Sequence, residues 1–257
     1  RSAAFFGLGV AKRTGLPVVL VCTSGTAGAN YYPAVIEARE SRVPLLVLTA
    51  DRPPELRDCA SGQTIDQQKL YGNYVRMFVE LAMPEAKRSQ LQYLRQSIVQ
   101  AWWQCQYPVS GPLQVNCPFR DPLAPPASTD EKNAAIAALP TAIDEAFFAN
   151  LTPLSLPKPS VCSARSNDWG VPADLGQTSR GLIIAGPASP SDPHAYCLAI
   201  AALAQKLGWP ILADGLSPLR NHASCNPSLV VHYDALLRHP HHAAALVPEQ
   251  VVQIGAL

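Results

Sequence analysis

Short, uniformly apolar runs alternate with longer segments of helical period along this chain. The runs are "VVLVC" at 18–22, "VPLLVLTA" at 43–50, "GPLQVNCP" at 111–118, "GLIIA" at 181–185, "PILAD" at 210–214 and "QVVQIG" at 250–255. Each is too short for a helix and lacks the apolar–polar alternation of a half-exposed strand, so each predicts a strand buried on both faces. Helices are predicted between them. One spans 2–14 and is ended by Gly15 and Pro17. A second spans 27–40, with Tyr32, Val35 and Ile36 on one face, and a third spans 85–106, with Leu91, Leu94, Ile98 and Trp102 at helical spacing. A fourth, over 191–207, is expected to be capped by Ser191 or Ser189 and stopped by Gly208 and Pro210; "YDALLRH" predicts a short fifth. Buried strands alternating with helices predict an α/β class, parallel sheets flanked by helices.

The alternation lapses over 124–180, a stretch rich in Pro, Ser, Ala and Asn with one expected helix near 141–149. We read it as a crossover between domains 1–123 and 181–257. Twenty basic residues against 19 acidic give a net charge of +1, which leaves no electrostatic footprint for nucleic acid or an anionic membrane surface. No apolar run reaches the length of a bilayer span. The opening "RSAAFFGLGVAKR" reads as an amphipathic helix and not a signal peptide, since Gly7 and Gly9 interrupt it and no cleavage-like end follows. With no initiator methionine, the sequence is expected to begin inside a longer protein. The 7 cysteines, at 22, 59, 105, 117, 162, 197 and 225, are odd in number and form no CxxC pair, so buried, reduced thiols in a cytoplasmic protein are expected.

Two segments carry candidate chemistry. "TSGTAGAN" follows a strand and opens a helix, the right context for ligand contact, yet it has neither the Walker lysine nor the GxGxxG spacing. Backbone N–H groups there, with Ser24, Thr26 and Asn30, suit a polar ligand edge; a plain turn of small residues for close packing explains the pattern equally well. In "TADRPPELRDCASGQTIDQ" polar residues emerge at a strand's carboxyl end, where open α/β sheets place ligands. Arg52, stiffened by Pro53 and Pro54, suits a carboxylate, and Gln63 suits a carbonyl or hydroxyl. The alternative is an Asp51–Arg52 ion pair capping the next helix. The late histidines His232, His239, His241 and His242 lack an acidic partner at ligand spacing, so no metal site is assigned.

The set "TSGTAGANYYPAVIEA", "PLLVLTADRPPELRDCASGQTIDQ", "GPLQVNCPFRDPL", "LGWPILADGLS" and "VVQIG" closely resembles the thiamine-diphosphate-dependent 2-succinyl-5-enolpyruvyl-6-hydroxy-3-cyclohexene-1-carboxylate synthases, the MenD family, with features similar to cyanobacterial members. The resemblance covers nearly the whole chain and is weakest in the crossover. It implies part of a pyrimidine-binding domain in 1–123 and the first half of a Rossmann-like central domain in 181–257. It also implies a homo-oligomeric, cytoplasmic transferase of menaquinone or phylloquinone biosynthesis. Such an enzyme decarboxylates 2-oxoglutarate on thiamine diphosphate and adds the succinyl unit to isochorismate. By motif, Arg52 and Gln63 match substrate-contacting residues, while Thr23, Ser24, Gly25 and Thr26 lie against the cofactor pyrimidine with Asn30 in support. The resemblance puts the cofactor-activating glutamate before Arg1 and the diphosphate and Mg²⁺ domain beyond Leu257. The stretch alone is therefore expected to hold no catalytic residue and no metal ligand, and to be inactive. Two other readings stand beside it: a non-catalytic binding or assembly module on the same fold, and an acetolactate-type thiamine enzyme, against which Thr26 and "DRPPEL" argue.

Overall fold

The structure, a computed structural model, describes residues 1–85, 87–121, 123, 146–149 and 174–255. It divides into two units, Arg1–Lys158 and Pro159–Leu257, each with its own four-stranded sheet. Most of the 124–180 crossover lies outside the described residues, though its expected helix is represented by a turn of helix, α5 (Ala146–Ala149).

The first unit opens with helix α1 (Ser2–Thr14), which ends as predicted: Gly15 takes φ 71°, and its N–H returns to Ala11 O at 2.8 Å. Strand β1 (Val18–Cys22) follows. The helix expected over 27–40 is two, α2 (Thr26–Ala29) and α3 (Tyr32–Glu40). Pro33 explains the break, because it has no N–H to offer Ala29 O and its ring crowds that carbonyl. Strand β2 (Leu45–Asp51), β3 (Phe78–Glu80), helix α4 (Arg88–Gln104) and β4 (Leu113–Pro118) complete the sheet. Its order is β1-β2-β4-β3, all parallel, with Thr49 level with Cys22 on one side and Asn116 on the other.

Strand β2 is apolar from Leu45 to Leu48 because its two faces serve two cores. Leu45 and Val47 pack with Ala4, Ala11, Val35 and Ala38 under α1 and α3, while Leu46 packs with Ala101, Leu113 and Val115 under α4. Strand β1 departs from the expected double burial, with Val19 46% and Val21 66% exposed. The cluster under α4 takes side chains from β2, β3 and β4 and none from β1. On α4 itself, Ile98 and Ala101 face that core; Trp102, which the helical spacing had placed with them, is 38% exposed. Strand β3 is too short for its periodicity to register in the sequence.

The second unit contains β5 (Gly181–Ala185), α6 (Pro193–Leu207), β6 (Ile211–Ala213), β7 (Leu229–Val230), α7 (Tyr233–Leu237), α8 (Pro240–Ala245) and β8 (Gln250–Ile254). The strands are parallel in the order β7-β6-β5-β8. The cap of α6 is neither Ser191 nor Ser189 but Asp192, whose Oδ1 accepts the Ala195 N–H at 2.9 Å. Pro193, suited to the first helical position, makes its predecessor the cap. Trp209 is fully buried and lies flat over Gly181, where a Cβ would stand 1.8 Å from the indole Cε2.

Burial of the cysteines is uneven. Cys105 and Cys197 are buried and Cys22, Cys117 and Cys225 partly so; Cys59 is exposed, against expectation, because it sits on the loop after β2. Cys162 lies outside the described residues. Burial pushes the Cys105 thiol up to about 12 and the Cys117 thiol up to about 11.

Two predictions follow from packing. Gly181→Ala forces Trp209 out of its place, and overpacking of this kind costs about 1–3 kcal/mol. Urea unfolding should show the second unit melting earlier while the first is unmoved. In the native protein at pH 8, a chromogenic thiol reagent should label Cys59 quickly and Cys105 and Cys117 only on unfolding, since thiols with raised pKa hold almost no thiolate. Loss of one fast equivalent in Cys59→Ser checks the assignment.

Candidate functional site

The carboxyl ends of β1, β2 and β4 converge, as a parallel sheet requires. Polar side chains collect toward this edge and are all buried: Thr49 and Asp51 on β2, Gln114 and Asn116 on β4, and Ser24 and Gln67 on the adjoining loops. Buried polar groups are costly unless paired, and these are paired with one another. Asn116 Nδ2 donates to Asp51 Oδ2 at 2.8 Å, and its Oδ1 accepts from Thr49 Oγ1 at 2.8 Å and Gln67 Nε2 at 3.1 Å. Gln67 Nε2 also donates to Ala50 O at 2.9 Å, and its Oε1 accepts the Gly25 N–H at 2.7 Å. Gln114 Nε2 donates to Gln67 O at 2.8 Å. Of this group, Gln114 Oε1 is left without a partner.

Arg52 and Gln63 arrive at this edge together with the 23–26 turn. The Arg52 N–H is held by Asp51 Oδ1 at 2.8 Å, and its Nη1 donates to Ser24 Oγ at 3.2 Å. The Asp51–Arg52 ion pair weighed from the sequence does not form. Asp51 points inward, where Arg57 Nη2 reaches Oδ2 at 3.3 Å and Glu80 Oε1 at 2.7 Å. Burial alone would lower the Arg57 pKa; Glu80 and Asp51 reverse that and hold it above its ordinary value. Arg52 therefore has no acidic side chain at ion-pair distance among the described residues, and its guanidinium is half-buried beside a hydroxyl. Such a group suits a carboxylate.

Gln63 sits at φ 55°, in the left-handed region, and donates from Nε2 to Thr23 Oγ1 at 3.0 Å and Ser24 O at 3.1 Å. With both amide hydrogens committed to the turn, its Oε1 is what it can present to a ligand. Gly25 has φ 80° and ψ −146°, a conformation open to glycine alone, and a Cβ there would stand 3.2 Å from Gln63 Cγ and 3.3 Å from Gln63 O. Asn30 Nδ2 supports the turn through Thr26 O at 3.0 Å. Thr23, Thr26 and Asn30 are exposed, while Ser24 and Gly25 are buried. The Gly25 N–H, a candidate ligand donor from sequence, is turned inward to Gln67.

All seven candidate residues thus gather in one place. The sequence reading missed what carries them: Gln67, Asn116, Gln114, Thr49 and the Arg57–Glu80 pair. The available signal was polar residues inside otherwise apolar strands, "LTAD" and "LQVNC", together with the second glutamine of "QTIDQQ". The His239, His241 and His242 rings stand 4.8 to 6.4 Å apart, and among the described residues no group of three or more His, Cys, Asp or Glu is placed to hold a metal ion.

Comparison with known proteins places both units. Residues 1–70 match the N-terminal TPP binding domain of thiamine pyrophosphate enzymes, and residues 168–257 match the middle domain of thiamine pyrophosphate enzymes. The whole chain is 58% identical to a 2-succinyl-5-enolpyruvyl-6-hydroxy-3-cyclohexene-1-carboxylate synthase of Acaryochloris marina and spans 43% of its length. Over 99% of the chain it is 55% identical to the synthase of that name from Nostoc sp., of which it spans 42%. The chain thus spans less than half the length of these relatives. Among solved structures, a chain described as a thiamin diphosphate-dependent enzyme from Mycobacterium smegmatis matches with a TM-score of 0.52 at 16% identity, over 84% of this chain and 36% of that one. That likeness concerns the fold.

Gly25→Ala tests the turn. The strained backbone and the approach to Gln63 should together cost about 1–3 kcal/mol, read as a lower urea midpoint for the first unit, with the second unit unchanged.

Proposed function

We propose, on the premise that this chain belongs to the family of the 2-succinyl-5-enolpyruvyl-6-hydroxy-3-cyclohexene-1-carboxylate synthases, that it is the part of such an enzyme that grips a substrate carboxylate beside the cofactor pyrimidine. The observation that carries the proposal is Arg52, held at a parallel sheet's carboxyl edge with no acidic partner among the described residues. In this reading 1–123 is the later part of the pyrimidine-binding domain, 124–180 the crossover and 181–257 the first half of the central domain.

The residues present fit one portion of thiamine diphosphate. The exposed Thr23 and Thr26 hydroxyls and the Asn30 amide oxygen form a donor and acceptor set suited to the edge of an aminopyrimidine. They do not fit its diphosphate or Mg²⁺, for which the described residues offer no acidic cluster. When bound, the cofactor supplies the electron sink for decarboxylating a 2-oxo acid. The chain's own work is binding and orientation. Arg52 pairs with a carboxylate of 2-oxoglutarate or isochorismate, and Gln63 Oε1 accepts from a substrate hydroxyl while its amide hydrogens keep the turn in place. The Mg²⁺ requirement, homo-oligomeric assembly, quinone-pathway role and cytoplasmic location belong to the same proposal and rest on the family.

The test uses the complete product of the reading frame containing these residues, with thiamine diphosphate, Mg²⁺, 2-oxoglutarate and isochorismate, following the adduct by mass spectrometry. The expected outcome is cofactor-dependent product, with kcat/KM reduced about 10–100-fold in Arg52→Ala through a raised KM, the range of a lost charge-assisted hydrogen bond. Product untouched by Arg52→Ala removes the role given to Arg52. No product from folded protein with intact substrates overturns the enzymatic reading in favour of a binding module.

A further inference from the structure

Three chain segments meet at one buried amide, and the geometry points to Gln67 as the positioning residue that sets the site's affinity for its carboxylate without touching substrate. The inference rests on the function proposed above. Gln67 is 1% exposed. Its amide ties the turn after β1 (Gly25 N–H), the end of β2 (Ala50 O) and the middle of β4 (Asn116 Oδ1). Gly25 is adjacent to Ser24, and Ser24 Oγ accepts from the Arg52 guanidinium. The same Gly25 packs against Gln63. Both proposed substrate contacts therefore hang on a turn whose backbone is anchored inward by Gln67.

The polarity of this anchor follows from one carboxylate. Asp51 Oδ2 accepts, so Asn116 must turn its Nδ2 toward it. Asn116 Oδ1 then faces Gln67, whose Nε2 must face Oδ1 and Ala50 O, leaving Oε1 for Gly25. Flipping the Gln67 amide would set its NH₂ against the Gly25 N–H and its oxygen against two acceptors. The wild-type amide does not titrate, so it holds the turn alike at every pH.

Gln67→Glu keeps the shape and makes the anchor titrate. Protonated, the new carboxyl still accepts from Gly25 and donates to one of its two acceptors. Ionised, it opposes Ala50 O and Asn116 Oδ1, with Asp51 behind Asn116, Arg57 and Glu80 beyond Asp51, and Arg52 on the Ser24 side. Gripping strength should therefore fall as pH rises in this variant only. With the complete gene product, kcat and KM are measured between pH 6 and 8 for the substrate whose KM rises in Arg52→Ala, alongside thermal unfolding. Gln67→Glu should show KM rising about tenfold across that range relative to wild type, the equivalent of one net hydrogen bond, with kcat held within about twofold. Gln67→Asn, whose amide is one methylene shorter, should raise KM with no added pH dependence; it also carries the test if the Glu variant does not fold. Unchanged KM in a folded Gln67 variant, or a fall in kcat with KM unmoved, overturns the positioning role. Absence of product from the wild type fails the functional reading instead, so the two failures are distinct.

Discussion

A carboxylate closed in at the end of an apolar strand must find donors on the spot, and Asp51 imposes that condition on the whole carboxyl edge of the first sheet. It is 3% exposed and accepts from its neighbour's backbone, from Asn116 and from Arg57. Each donor then imposes its own demand. Arg57 requires Glu80 on β3, and Asn116 presents its carbonyl to Thr49 and Gln67. One-sided loss of a partner in such a network leaves a charge or dipole buried and unpaired, which costs more than the bond itself contributes. The arrangement is therefore held as a unit, and the loop residues that reach the surface inherit their positions from it.

The legible part of the fold was the part written in periodicity. Apolar runs over 43–50 and 181–185, and Gly15 and Gly208 past their helices, gave the strands, helix ends and parallel class directly. What failed to show was short-range competition. Pro33 splits a helix whose apolar face is continuous, and Asp192 wins the cap from two serines because Pro193 follows it. Trp102 looked apolar and periodic, yet the seam closes on Ala101, whose small side chain sits fully buried against the sheet. In the site, the segments that reach the surface were visible as motif, while their supports were not. Gln114 and Asn116 lie 47 and 49 residues along the chain from Gln67, and only the tertiary fold, which lays the 63–68 loop against β4, brings the three together.

Each unit carries its sheet as a separate problem in burial. In the second, Trp209 closes the core over a glycine and bonds its indole N–H to Thr178 O at 3.1 Å, so the largest apolar side chain of that core is also hydrogen-bonded. In the first, the edge strand β1 is packed on one face only, and its carboxyl end leads into the 23–26 turn. That turn is held by the hydrogen bonds Gln67 and Gln63 make to it.

Arg52 and Arg57 show how the same side chain acquires opposite roles within one short segment. Arg57 lies where Asp51 and Glu80 converge, and the trio holds two negative charges around one positive charge. That acidic surplus turns Arg57 into an internal strut. Arg52, pinned by Asp51 through its backbone and followed by two prolines, directs its guanidinium to Ser24 Oγ, a neutral acceptor. A hydroxyl satisfies one donor without cancelling the charge, so Arg52 keeps most of its capacity for an incoming anion. Exchanging the acceptors would exchange the roles: a carboxylate at 24 would neutralise Arg52, and removing Glu80 would leave Arg57 competing for Asp51 alone. The distribution of acids around the two arginines, more than the arginines themselves, decides which one is left with charge to offer an incoming anion.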